Sequence, residues 1–150
     1  MSLDTGRAAI EAYLSANWTD TPIGFDGWPF TPIADSIQLS ITDGAVMQGS
    51  IGRTANVINN IGVVTVTIYT DAAQGSASWR RYAETLETLF FGKTIDAAGA
   101  VVTSGAQTPL VRFSPPELGD AKHPYIGATF VDAPFRRTNL IAPFVRYELR

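Results

Sequence analysis

The chain has 150 residues, of which 17% are charged, and a net charge of −3. That length suits one domain spanning 1–150 rather than two small ones, and the acidic balance excludes a general phosphate-binding surface for nucleic acid. The sequence has no cysteine, which removes disulfides, thiolate catalysis and thiolate zinc sites together.

Asp4 to Asn17 reads as a helix, with Asp4 or Thr5 as its cap. Ala9/Ile10, Tyr13/Leu14 and Asn17/Trp18 recur at helical spacing and form one apolar stripe. Pro22 ends it, because the residue before a proline is pushed out of the α region. Ile23 to Asp26 reads as a short strand. Gly27-Trp28-Pro29-Phe30-Thr31-Pro32 then has too many breakers for a regular element and is a loop.

Ser36 to Thr42 alternates, with Ile37, Leu39 and Ile41 on one face, as a half-buried strand does. Asp43-Gly44 is a tight-turn signal, which predicts that Ala45 to Ile51 returns as the hairpin partner. Thr54 to Ile61 reads as a polar connection. Gly62 to Thr70 is the clearest strand: Val64, Val66 and Ile68 face one way, Thr65, Thr67 and Tyr69 the other.

After the Asp71–Gly75 loop, Ser76 or Ser78 can cap a second helix over Ala77 to Phe91. Trp79, Ala83, Leu86 and Phe90 form its apolar stripe, which predicts core, and Gly92 suits the residue just past its end. Thr94–Asp96 and Val101–Thr103 flank a turn. Leu110 to Phe113 is a further strand. Ser114 to Lys122 is a long loop, and Tyr125–Val131 and Leu140–Leu149 are closing strands joined through Asp132 to Thr138. Runs of strands broken by single helices predict an α+β fold. The expected sheet is mainly antiparallel or mixed, with both helices packed on one face.

No stretch approaches the roughly 18 apolar residues that cross a bilayer. Met1 to Gly6 lacks the basic-then-apolar pattern of a signal peptide. The reading is a soluble domain with no membrane partner.

The layout resembles the phage tail-terminator-like family of small minor tail proteins, siphophage and lambda-like. The resemblance rests on several features in order. A short helix from Arg7 to Leu14 leads to Pro22-Ile23-Gly24-Phe25-Asp26 and a hairpin. Val63-Val64-Thr65-Val66-Thr67-Ile68-Tyr69 and a loop at Gly75 come next, then a helix ending Leu89-Phe90-Phe91-Gly92-Lys93. Late strands begin at Tyr125 and Leu140. The resemblance implies a virion-tail or prophage protein, assembled in the host cytoplasm. It implies a ring, usually a hexamer, that stops tail-tube polymerisation and docks the head-completion proteins. The partners would be other copies, the tail-tube protein and the connector. No catalytic residue attaches to that role.

The residues agree with a chain that needs no cofactor and holds no metal. His123 is the sole histidine and lacks the neighbours of a metal site or a serine triad. The acids are dispersed. Phe135, Arg136 and Arg137, read as part of a loop, are candidate contacts to a neighbouring subunit, since arginine and aromatics anchor interfaces. Trp28 and Phe30, between prolines, are either core plugs or partner contacts. Arg80–Arg81 at a helix start suits an acidic partner, although pairing of Arg80 with Glu84 also explains it. Two further readings stay open: a small-ligand module with Trp28 and Phe30 as a pocket wall, and a hydrolase using dispersed carboxylates.

Overall fold

The computed structural model describes residues 3–48, 57–73, 75, 77–103, 105 and 108–149. Its element order is α1 (Leu3–Asn17), β1 (Ile23–Gly24), β2 (Ser36–Gln48), β3 (Val57–Asp71), α2 (Ala77–Leu89), β4 (Thr94–Ile95), β5 (Val111–Phe113), a 3-10 helix (Pro116–Lys122), β6 (Tyr125–Asp132) and β7 (Phe135–Leu149). The seven strands form one sheet in the order β1-β2-β3-β7-β5-β4. β6 pairs with β7 beside β5. Among the described residues only β1 with β2 is parallel; the other pairs are antiparallel. The α+β reading with a mixed sheet therefore holds.

Register decides the two faces. Ile37, Ile68 and Thr138 lie side by side, as do Leu39, Val66 and Leu140, and as do Ile41, Val64 and Ala142. These rows carry the core, with Phe113 and Phe144 continuing it on β5 and β7. Because side chains alternate along a strand, Tyr69, Thr67 and Thr65 fall on the opposite face. Both helices pack on the core face. α1 brings Ala9, Ile10, Tyr13 and Leu14; α2 brings Trp79, Tyr82, Ala83 and Leu86. Tyr13 joins them, its hydroxyl donating to the Leu89 carbonyl, its ring stacked 5.7 Å from Phe113. Trp18 meets Tyr82 edge-on at 5.8 Å. Gly92 takes φ +67, the left-handed end that its position in the sequence predicts.

Several boundaries differ from the sequence reading. Asp43-Gly44 does not turn. β2 runs through it with a bulge between Asp43 and Val46, so Ala45 to Gln48 prolong β2 and the partner is β3. A bulge uses the same small, φ-tolerant residues as a turn, and this one is held by pairing on both sides of it. The expected polar connection over Thr54–Ile61 is strand from Val57 onward, and 54–56 lie outside the described residues. The closing connection shrinks to Ala133-Pro134, joined by a cis peptide, and Phe135 to Thr138 belong to β7. Asp4 and Thr5 sit within α1 rather than before it, and Asp4 accepts from Arg7. The Ser114–Lys122 loop contains the 3-10 helix.

Candidate protein-contact surface

Opposite the helices, at the end of the sheet where β3 finishes, the side chains of three strands align. Tyr69 of β3 pairs with Arg137 of β7, and Arg137 pairs with Phe130 of β6. Cross-strand partners share a face, so the three form one row. Tyr69 is buried. Phe30 and Phe135 flank its ring, with centroids 6.0 and 5.9 Å away. Its hydroxyl donates to Gln38 Oε1 at 3.0 Å and accepts from Arg137 Nη2 at 3.2 Å. The Arg137 guanidinium lies 5.2 Å from the Tyr69 centroid and 5.5 Å from that of Phe130. Its Nη1 meets Asp132 Oδ2 at 3.1 Å. Arg137 is thus fixed by stacking and a carboxylate together, an arrangement the planar guanidinium permits and a lysine would not.

Phe30 reaches Tyr69 from the proline-flanked loop because Gly24 of β1 leaves room for its ring. A Cβ on Gly24 would stand 2.5 Å from Phe30 Cγ. Trp28 is on the same loop but is 68% exposed, beyond a turn in which its N–H donates to Phe25 and Gly27 takes φ +75.

Of the five residues the sequence singled out, the structure gathers Phe30, Phe135 and Arg137 into this cluster. Trp28 stays outside it, and Arg136, one residue along the strand, points to the other face. The expectation that Phe135, Arg136 and Arg137 lie in a loop is corrected: they open β7, where alternation splits the arginine pair. Tyr69, Phe130 and Asp132 were not singled out. The signal for Tyr69 was there, an aromatic ending a face otherwise made of threonines.

Beside the cluster, β6 is exposed along all eight residues. Tyr125 (52%), Ile126 (40%), Phe130 (44%) and Val131 (61%) present large apolar side chains to solvent. Its pairing among the described residues is with β7 alone.

Other candidates hold less. His123 is exposed and stacks on Phe91 at 4.6 Å. A shallow groove of about 360 Å³ is lined by Glu84, Glu87, Thr88 and Phe91, and both of its glutamates are exposed. Trp28 and Phe30 do not line it. Arg80 and Arg81 lie over the rings of Trp79 and Tyr82. Among the described residues no three His, Asp or Glu side chains gather as metal ligands, and no helix is long and apolar enough to cross a membrane.

No curated protein matches the chain. Among solved structures, one that is 19% identical matches over 97% of this chain and 96% of its own, with a TM-score of 0.64. That likeness shows the fold. The model of the phage tail terminator protein family matches residues 6–116, from α1 through β5 to the start of the 3-10 helix. The chain belongs to the phage tail terminator family and is a structural protein of the virion tail that acts through contacts with other tail and head proteins.

Proposed function

We propose that this chain closes into a ring, a hexamer by family resemblance, that caps the tail tube and joins it to the head-completion proteins. The exposed β6 strand carries this reading. Its apolar side chains on both faces, next to the Tyr69–Arg137–Phe130 row, have the composition of surfaces that partner proteins bury. The five residues Trp28, Phe30, Phe135, Arg136 and Arg137 contribute at or beside those contacts. The role asks for surface complementarity and no bond-breaking chemistry, so the protein works without a cofactor.

Tail-tube subunits polymerising in solution provide the test. Addition of the purified chain stops elongation and leaves one end of each tube with a ring visible by electron microscopy. Tubes that keep growing unchanged in a molar excess of the chain would overturn the proposal.

A further inference from the structure

We infer that the sheet continues from copy to copy, the outer edge of β6 in one copy adding to the outer edge of β2 in the next. This rests on the ring reading and specifies its subunit contact.

Both edges are open among the described residues. β6 pairs on its inner side only. β1 covers β2 only at Ile37 and Gln38. A little further along, the Ile41 N–H is taken by Asp26 Oδ1 at 3.1 Å, and from Thr42 to Gln48 the outer side of β2 has no strand beside it among the described residues. Edge strands of monomers are usually blunted by lysine, proline or inward charge. Tyr125 to Asp132 contains no lysine and no proline, and its one charge is at the end of the strand. The bulge at Gly127 bends the strand, which leaves Ala128 to Asp132 as its straight part.

The occupant follows from charge and facing. From Trp18 to Gln48 the sequence carries Asp20, Asp26, Asp35 and Asp43 and no basic residue. The β6–β7 hairpin carries Arg136 and Arg137 against Asp132, and Arg137 is already engaged with that aspartate. The register puts Val131 and Arg136 on the helix-bearing side of the sheet, and Asp43 and Val46 on that same side. A sheet extended head to tail keeps its sides. One copy's exposed Val131 and half-buried Arg136 then come beside the next copy's exposed Val46 and Asp43, apolar to apolar and base to acid. Arg136 Nε, buried without a hydrogen-bond partner, marks the same side. Because the two edges differ, the contact is heterologous, and such contacts close into rings when the rotation per copy allows.

The chain has no cysteine, so introduced thiols report only on themselves. Thr129→Cys and Ala45→Cys place one at each exposed edge. Tails are purified from particles carrying both substitutions and treated with a flexible bismaleimide of about 10 Å reach, roughly three residues along a strand. A denaturing gel is expected to show a ladder of covalent multimers of the chain, and each single substitution alone to give monomer. Tails that contain the chain but yield no ladder would overturn the pairing, and so would a dimer from Thr129→Cys alone, which means a symmetric β6–β6 contact. Val131→Lys gives an independent arm: it is expected to leave the melting temperature of the chain unchanged and to prevent its incorporation into tails, and normal incorporation would overturn the pairing. Unsubstituted chain that fails to cap tubes counts against the ring reading instead.

Discussion

Arg146 is a charged side chain in the core face of β7, 2% exposed, and α1 passes over it at Gly6. A Cβ at Gly6 would stand 2.5 Å from Arg146 Cδ. Alanine is the better helix former by about 1 kcal/mol, while forcing a methyl into a packed site costs about 1–3 kcal/mol. Gly6→Ala is therefore expected to destabilise by up to about 2 kcal/mol in denaturant unfolding; a gain in stability would mean that Arg146 moves freely. Arg146 keeps Glu148 within 3.7 Å, and Asn60 Nδ2 donates to the same Glu148 oxygen at 3.2 Å, so the charge is compensated within the sheet. Tyr13 gives a pH signature. Burial raises its pKa above the ordinary value of 10.0. The folded state then holds the phenol proton more tightly than the unfolded chain. That stabilisation is complete below about pH 10 and is lost as pH rises through the folded value. Tyr13→Phe should flatten the alkaline fall in melting temperature, and an unchanged slope above pH 10 would refute this assignment. Exposure separates two aromatics: Phe90→Ala is expected to cost about 3–5 kcal/mol, whereas Trp28→Ala stays within about 0.5 kcal/mol, both read from unfolding curves.

At the scale of elements, β3 is paired on both sides along most of its length, while β6 has one partner. Hydrogen exchange should be slowest from Val64 to Ile68 and fastest, among the strands, in Ala128 to Val131. Comparable protection in isolated, monomeric chain would contradict the open edge. The helices and β3 were legible in the sequence because their periodicity is long and their burial one-sided. Asp43-Gly44 misled because local turn chemistry is also bulge chemistry, and only the distant pairing with Gly62 and Asn60 decides between them. Phe135 to Thr138 misled for a related reason. A proline and two arginines look like loop, yet the turn needs only Ala133-Pro134, and Arg137 is held in the strand by Tyr69 and Asp132. The candidate surface was half legible. Its aromatic and arginine anchors stand out in composition, but their convergence on Tyr69 depends on three-strand register, which no local pattern encodes.

For the whole molecule, one face of the sheet is closed by helices, and the other ends in an aromatic and guanidinium row beside an open apolar strand. Asymmetry of that kind suits the proposed ring subunit, with a neighbour on either side, the tube end on one side of the ring and the head-completion proteins on the other. The family match covers residues 6–116, and β6 with most of the candidate contact surface follows that segment. Electron microscopy of particles from phage whose gene for this chain is deleted tests the terminator role most directly. Tails of uncontrolled, excessive length without heads are expected, restored to normal when the chain is supplied in trans. Tails of normal length joined to heads in its absence would contradict that role.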